Sequence, residues 1–166
     1  MNSTTPLLSL ESLAELVDAW RRDGHRTVLC HGRFDPLHYG HLMHFAEART
    51  YGDRLLVTVT PDRFAASAPG RPYQSETVRL AMVASLRLVD AAALNRWPGA
   101  EELLQLVKPD IYVKGSDYYM SDNVAFTRET ETARALGIAV QITKSFKLSA
   151  TAVGLALRDR EQGLTS

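Results

Sequence analysis

Apolar positions recur along this chain with two alternating periods, which predicts helices and strands in turn. From Leu10 to Trp20 the apolar residues follow a helical spacing. Ser9 or Ser12 can cap this first helix, and Gly24 can end it. The eight residues before Ser9 carry no such pattern, so we expect residues 1–8 to form a disordered tail.

Short apolar runs separated by helical segments predict a parallel sheet. Residues 27–30 are mostly β-favouring, residues 42–50 are good helix formers, and residues 54–60 form a second apolar run, which together predict a right-handed βαβ unit. The same alternation continues to the C-terminus. The predicted strands are residues 88–94, 111–113 and 140–143, and the predicted helices are residues 75–86, 99–107, 127–136 and 152–160. The pattern therefore predicts an α/β fold of about five parallel strands with helices on both faces.

Composition narrows the class of protein. The 166 residues suffice for one domain with a real core, and a hydrophobic content of 45% argues against disorder. Lysine plus arginine equals aspartate plus glutamate at 19 each, so no overall field attracts nucleic acid or a membrane surface. A single cysteine excludes an internal disulfide. No long apolar run or signal pattern occurs, so we expect a cytoplasmic protein with neither nucleic acid nor membrane as a partner.

The loop after the first βαβ strand carries the clearest chemistry. It ends in His38, Tyr39, Gly40 and His41. If His41 lies in the first turn of the following helix, the imidazoles of His38 and His41 face one side, because residues three apart share a helix face. Gly40 removes a Cβ where a ligand would approach the backbone. The pattern predicts a phosphate site in which two imidazoles add to the free N–H groups of a helix start.

Two other roles for these histidines are open at this point. A single histidine near a helix start is commonly a capping or packing residue, but two with a glycine between them fit that role poorly. A zinc site is the other alternative, because His31, His38, His41 and His44 cluster in the sequence. The segment lacks the glutamate of an H-E-x-x-H helix and a cysteine pair, and Cys30 should point into the core.

Residues 32–41, GRFDPLHYGH, resemble the G-x-F-D-x-x-H-x-G-H signature of the cytidylyltransferase-like nucleotidyltransferases. The segments TVTPDRF, GRP and LNRWPGAEELLQLVKPDIYVKGSDY follow in the order of that family. The last of them resembles the heptose-1-phosphate adenylyltransferases, a subgroup often fused or paired with a sugar kinase. The similarity covers about residues 27–155. It implies a Rossmann-like doubly wound sheet in a single domain.

The resemblance also implies roles for individual residues. His38 and His41 would donate to the oxygens of the α-phosphate, and Arg49, where a lysine is usual, would neutralise phosphate charge. The positions implied to bind the nucleotide are Gly32, Arg33, Phe34, Asp35, Gly40, Lys114, Gly115, Asp117, Ser149 and Thr151. The positions implied to face the acceptor or the triphosphate are Asp62, Arg71 and Arg79.

Several of these residues have simpler alternatives. Glu76 and Arg79 could form a weak surface ion pair rather than hold the loop and the pocket together. Asp35 could order its own loop through an Asx turn rather than approach a metal ion. Arg71 could be a solvated charge.

The expected reaction is attack of a phosphorylated acceptor on the α-phosphorus of a nucleoside triphosphate, with release of pyrophosphate. A phosphate monoester with a second pKa of about 6 is already dianionic at neutral pH, so no general base is needed. Mg²⁺ is the expected cofactor, held mainly by phosphates and water, with Asp35 as the nearest carboxylate.

The base and the acceptor stay open. ATP with a sugar phosphate fits the closest resemblance, whereas CTP with glycerol-3-phosphate or another alkyl or polyol phosphate fits the broader family. A separate sugar kinase would supply the acceptor, and a homodimer is expected by analogy alone.

Other classes of protein fit this sequence less well. A dinucleotide oxidoreductase lacks support because no G-x-G-x-x-G follows the first strand, and an aminoacyl-tRNA synthetase would need a further domain. A non-catalytic nucleotide-binding module is the remaining alternative, because Arg49, Ser67 and Ala150 differ from the residues usual in the family.

Overall fold

The computed structural model describes residues 7–66, 68–115 and 124–144. Within these ranges helices and strands alternate much as the sequence predicts. The strands are β1 Leu7–Leu8, β2 Thr27–Gly32, β3 Arg54–Val59, β4 Ala91–Leu94, β5 Ile111–Lys114 and β6 Ala139–Ile142. The helices are α1 Leu10–Arg22, α2 Tyr39–Arg49, α3 Asp62–Ala65, α4 Glu76–Ala84, α5 Glu101–Val107 and α6 Val124–Ala135. None of these helices has the length and apolarity needed to cross a bilayer.

The six strands form one sheet in the order β1-β4-β3-β2-β5-β6, and each neighbouring pair is parallel. Successive strands from β2 to β4 move toward one edge, whereas β5 and β6 lie on the other side of β2. The direction of winding therefore reverses between β2 and β5. In open parallel sheets this reversal leaves a crevice outside the carboxyl ends of the two strands, where ligands bind.

Side chains of the strands alternate between two apolar layers. On β2, Leu29 packs into the layer covered by α1, α5 and α6, while Val28 and Cys30 pack into the layer covered by α2 and α4. Both layers are fully buried at these positions, so the prediction of helices on both faces is confirmed. Burial raises the pKa of the Cys30 thiol, which leaves it an inert core residue.

Within the described residues the sheet has six strands, one more than the roughly five that were predicted. The additional strand, β1, lies in the segment that was predicted to be a disordered tail. Leu7 and Leu8 lie in register with Ala92 and Ala93 as a short edge strand. A run of two residues has no periodicity, so only the partner strand could reveal it. Residues 1–6 of the predicted tail and the predicted helix 152–160 lie outside the described residues. Ser9, rather than Ser12, caps α1 by accepting a hydrogen bond from the Ser12 backbone N–H at 3.1 Å.

Candidate active site

The histidine loop leaves the carboxyl end of β2 and enters α2 earlier than the sequence predicted. His38 is the N-cap residue, with extended backbone dihedrals, and α2 begins at Tyr39. His41 therefore lies in the first helical turn, which confirms the premise from which a phosphate site was predicted. Gly40 is buried in that same turn. The pair thus lies close to the carboxyl end of β2, where the winding of the sheet reverses.

The two imidazoles lie against each other. Their ring centroids are 3.8 Å apart, and the planes differ by 22°. The backbone N–H of His38 donates to Nδ1 of His41 at 3.3 Å. Because Nδ1 accepts this bond, the proton of the neutral His41 ring sits on Nε2.

His41 is neutral at physiological pH. Burial lowers its pKa from 6.5 to about 3, and the neighbouring His38 and His44 act in the same direction. A second proton on this ring would have to be carried without full solvation and beside two other imidazoles. Nε2–H of His41 is thus a fixed, uncharged hydrogen-bond donor.

Phe34 packs against His41 and supports the histidine pair. Its backbone has a φ of 52°, a left-handed conformation that is strained for an aromatic residue. The side chain is buried, with its ring 5.1 Å from His41 in an edge-on contact and 5.2 Å from Phe45. A Cβ at position 32 would come within 3.0 Å of the Phe34 ring, which explains Gly32. Phe34 and Gly32 therefore shape the loop.

Asp35 fastens a distant segment to the histidine loop. Its carboxylate accepts hydrogen bonds from the backbone N–H groups of Tyr73 at 2.8 Å and Gln74 at 3.0 Å. Arg71 adds an ion pair at 3.2 Å and also donates to the Asp35 carbonyl. Asp35 thus orders residues 71–74 rather than its own loop. Both of its oxygens are engaged by protein donors, so its placement does not support the predicted approach to a metal ion.

Arg79 is a buried organiser rather than a surface charge. Its guanidinium donates to the Gln74 carbonyl at 2.9 Å, the Arg33 carbonyl at 2.6 Å and the Asp62 carboxylate at 2.7 Å. Glu76 accepts the backbone N–H of Asp62 at 2.7 Å. Both predicted partners hold Asp62 instead of each other, so the alternative of a weak surface ion pair is wrong.

Arg71 lies beside this arrangement. Its guanidinium sits 3.9 Å from the ring centroid of Tyr73, in addition to its ion pair with Asp35. The side chain is 17% exposed, which excludes the alternative of a solvated charge. Arg33 is exposed on the histidine loop itself. Arg33 and Arg71 therefore both place positive charge at this loop.

Lys114 ends β5 in a buried ion pair. Its Nζ lies 2.6 Å from the Glu129 carboxylate of α6, and the lysine side chain is 3% exposed. Glu129 also accepts the Tyr112 hydroxyl at 2.9 Å and the Ala100 backbone N–H at 3.1 Å. Although burial opposes ionisation of Glu129, Lys114 outweighs it and lowers the pKa of that carboxyl. Because the Lys114 side chain is buried and paired with Glu129, its position conflicts with the predicted contact to the nucleotide.

Four other predicted positions complete the account of the nucleotide site. Gly115 follows Lys114 at the mouth of the crevice, where a Cβ would meet open space. Asp117, Ser149 and Thr151 lie outside the described residues, as do the family departures Ser67 and Ala150.

Arg49 is not near the histidine pair. It ends α2, and the helical rise separates it from His41 by about 12 Å along the axis. Its guanidinium pairs with Asp90 at 3.4 Å, where Asp90 also binds the backbone N–H of Leu55 at 2.8 Å. These contacts lie at the amino edge of the sheet, opposite the crevice. The prediction that Arg49 neutralises phosphate charge conflicts with this position.

Replacing Arg49 with glutamine should leave turnover within about twofold of wild type. The variant loses a partly exposed ion pair, so the free energy of unfolding should fall by no more than about 1 kcal/mol. Steady-state kinetics and urea denaturation measure the two effects. A tenfold loss of turnover at unchanged stability would restore a catalytic role for Arg49.

The zinc alternative fails on geometry. Among the residues that the structure describes, no three histidine, cysteine or acidic side chains converge as a metal site. His31 is buried against Thr58, with Nδ1 3.0 Å from its hydroxyl, and burial lowers the His31 pKa to about 4. His44 instead contacts Thr143 at 2.8 Å.

Sequence reasoning missed the roles of His44, Thr143, Glu47 and Glu129. The available signal for His44 was the three-residue spacing of His38, His41 and His44, which runs from the N-cap into the first two turns of α2.

Comparisons with known proteins agree with this arrangement. The model of the cytidylyltransferase-like family matches residues 29–155. The bifunctional protein HldE of Gluconobacter oxydans is 38% identical over 120 residues, which are 71% of this chain and 25% of that protein. HldE of Pseudomonas syringae pv. syringae is 42% identical over 114 residues, 68% of this chain and 24% of that protein. The chain thus spans about a quarter of the length of these relatives.

A solved structure is also similar. The lipopolysaccharide core biosynthesis protein from Thermoplasma volcanium superposes with a TM-score of 0.61 at 32% identity. The match covers 76% of this chain and 100% of that one. Both the predicted family resemblance and the predicted Rossmann-like fold are confirmed.

Proposed function

This chain belongs to the cytidylyltransferase-like family of nucleotidyltransferases, and we propose that it moves a nucleoside monophosphate from ATP to a sugar phosphate of the heptose-1-phosphate type. Pyrophosphate is the second product. The similarity to HldE proteins and to a lipopolysaccharide core biosynthesis protein supports a phosphorylated sugar as the acceptor.

The stacked histidine pair is the observation that carries this proposal. It sits at the start of α2, next to the crevice where the sheet reverses its winding. Nε2–H of His41 is a neutral donor whose tautomer is fixed by the His38 backbone. Donors held in place before the reaction stabilise developing charge without reorganising, and this fits the oxygens of an α-phosphate under attack.

The transfer reaction depends on how the reactants are positioned and requires no proton transfer. The attacking oxygen of the acceptor phosphate is already charged, so a new P–O bond forms as the bond to pyrophosphate breaks, and no proton has to be removed. His38 and His41 hold the α-phosphate oxygens in line with the nucleophile. Arg33 on the histidine loop and Arg71 bound to Asp35 supply positive charge, while Arg79 and Asp62 hold the loop in place.

We propose that Mg²⁺ binds together with the triphosphate. The described residues offer no cluster of protein ligands, and the Asp35 carboxylate is already bonded to backbone N–H groups. The ion would therefore be held by phosphate oxygens and water, where it offsets the charge of the triphosphate and of pyrophosphate. No contact to a protein carboxylate is required.

A screen for pyrophosphate release tests the proposed function. Each of the four nucleoside triphosphates is combined with a panel that includes heptose-1-phosphate, other sugar-1-phosphates, and glycerol-3-phosphate. We expect release only in the presence of a phosphorylated acceptor, fastest with ATP and a sugar-1-phosphate.

The other outcomes of the screen are equally specific. Preference for CTP and glycerol-3-phosphate would assign the alternative substrate pair. Nucleotide binding without any pyrophosphate release would identify a binding module. A separate kinase supplying the acceptor and a homodimeric assembly remain proposals, the second of which sedimentation velocity tests.

A further inference from the structure

We propose that His44 is a positioning residue for the transfer reaction, because it ties α2 to the far side of the nucleotide crevice. Together with Thr143, Glu47 and the backbone of Lys144 it forms a connection that we call the α2–β6 brace. The inference rests on the proposed function, since it concerns how the histidine pair is placed against the nucleotide.

The first contact of the brace is a partly buried hydrogen bond. Nδ1 of His44 lies 2.8 Å from the hydroxyl of Thr143, a residue that is 1% exposed. The Thr143 hydroxyl donates its single proton to the Lys114 carbonyl at 3.4 Å. The hydroxyl must therefore accept from His44, whose Nδ1 carries the proton. Burial lowers the His44 pKa to about 4, so the ring is neutral and this tautomer is fixed.

The second contact lies one turn further along α2. Both carboxylate oxygens of Glu47 accept the backbone N–H of Lys144, each at 3.0 Å. The Tyr51 hydroxyl donates to the same carboxylate at 2.9 Å and holds it in place. Because His44 and Glu47 are three residues apart, the two contacts share one face of α2 and fix its tilt as well as its position.

The brace joins the two halves of the sheet. The helix α2 follows β2 and belongs to the half that contains β3 and β4, whereas Thr143 and Lys144 follow β6 in the other half. The crevice opens between these halves. His41 lies one turn before His44, so the brace sets the distance from the histidine pair to the carboxyl ends of β5 and β6.

Apolar packing alone would not fix that distance. Phe45 and Ala48 seat α2 on the sheet, but apolar contacts have no preferred direction and allow small shifts of a helix along its axis. Hydrogen bonds that span 99 and 97 residues of sequence set the register instead. A misplacement of about 1 Å in a group that orients a substrate is enough to cost about 100-fold in rate.

Variants of the brace test this role. His44→Ala and Thr143→Val should each weaken nucleotide binding and lower kcat by about tenfold or more, while KM for the acceptor stays within about twofold. His44→Asn should recover most of the loss, because its amide N–H lies close to the position of Nδ1–H. The double variant should be no worse than either single variant, since both remove the same bond.

The control is Thr50→Val. Thr50 lies at the end of the same helix, and its hydroxyl donates to the Glu47 carbonyl within that helix at 2.7 Å. This variant removes the same chemical group but leaves the His44–Thr143 bond and the contacts of the Glu47 carboxylate in place, so its kinetics should match wild type. Circular dichroism at increasing temperature reports whether each variant is folded under assay conditions.

Two results would overturn the proposal. One is wild-type kcat and nucleotide affinity in His44→Ala. The other is a loss that His44→Asn fails to recover and that follows the folded fraction alone. Calorimetric titration with ATP or CTP in the absence of an acceptor keeps this test separate from the proposed function. If wild type binds a nucleotide but releases no pyrophosphate, the proposed function fails and the affinities of the variants still decide the brace.

Discussion

Replacing His41 with alanine should lower turnover by about 100- to 1,000-fold and leave the fold intact. The ring supplies a neutral Nε2–H donor at the start of α2, and removing one fixed donor to a developing oxyanion costs about this much. The ring is partly exposed, so its loss opens no large cavity in the core. Steady-state pyrophosphate release and far-ultraviolet circular dichroism measure the two expectations.

Two further variants sharpen this prediction. His41→Gln places an amide N–H near the position of Nε2–H, whereas His41→Asn places one near Nδ1, so glutamine should retain more turnover than asparagine. His25→Ala is the matched control, because His25 lies at the opposite edge of the sheet. Its Nε2 is 3.2 Å from the guanidinium of Arg54. Near-normal turnover in His41→Ala would contradict the assignment of the site.

Replacing Lys114 with methionine should strongly lower the stability of the fold. Lys114→Met leaves the Glu129 carboxylate buried without its cationic partner, and breaking a buried pair in this way costs about 3–5 kcal/mol. For a domain of this size the midpoint of thermal unfolding should fall by roughly 10 °C. Among the described residues, Glu129 would then keep the donors from Tyr112 and Ala100.

Adding Glu129→Gln to Lys114→Met should restore much of that loss. The amide is neutral, can accept from the Ala100 N–H, and can donate to the Tyr112 hydroxyl, so no buried charge is left unpaired. We expect turnover to recover together with stability, because Lys114 acts through the fold. A stable double variant that still fails to bind nucleotide would instead establish the direct contact that the sequence motif implied.

Local patterns explain why much of the fold was predictable. The apolar runs that became β2 and β3 are continuous because both faces of these strands are covered, and each lies beside a clear helical segment. The histidine pair was predictable for the same reason, since its geometry depends only on a strand end, a loop and the first turn of α2. β1 was missed because two residues carry no period, and only its register with Ala92 and Ala93 reveals it.

The roles of the individual arginines were harder to predict from the sequence. Arg49, Arg71 and Arg79 all looked able to reach phosphate in the sequence. The fold sends Arg49 to Asp90 at the amino edge, places Arg71 beside Asp35, and buries Arg79 among three acceptors. Sequence spacing cannot separate these outcomes, because each depends on a partner that another element delivers.

The order of helices and strands, the parallel sheet and the position of the paired imidazoles follow from local sequence, since neighbouring residues suffice to specify each of them. Which charges are buried in pairs and which face the crevice depends on how distant segments come together in the fold. The contact of His44 with Thr143 illustrates the reason: its two ends are 99 residues apart, and a hydrogen bond between them exists only once β2, β5 and β6 lie side by side.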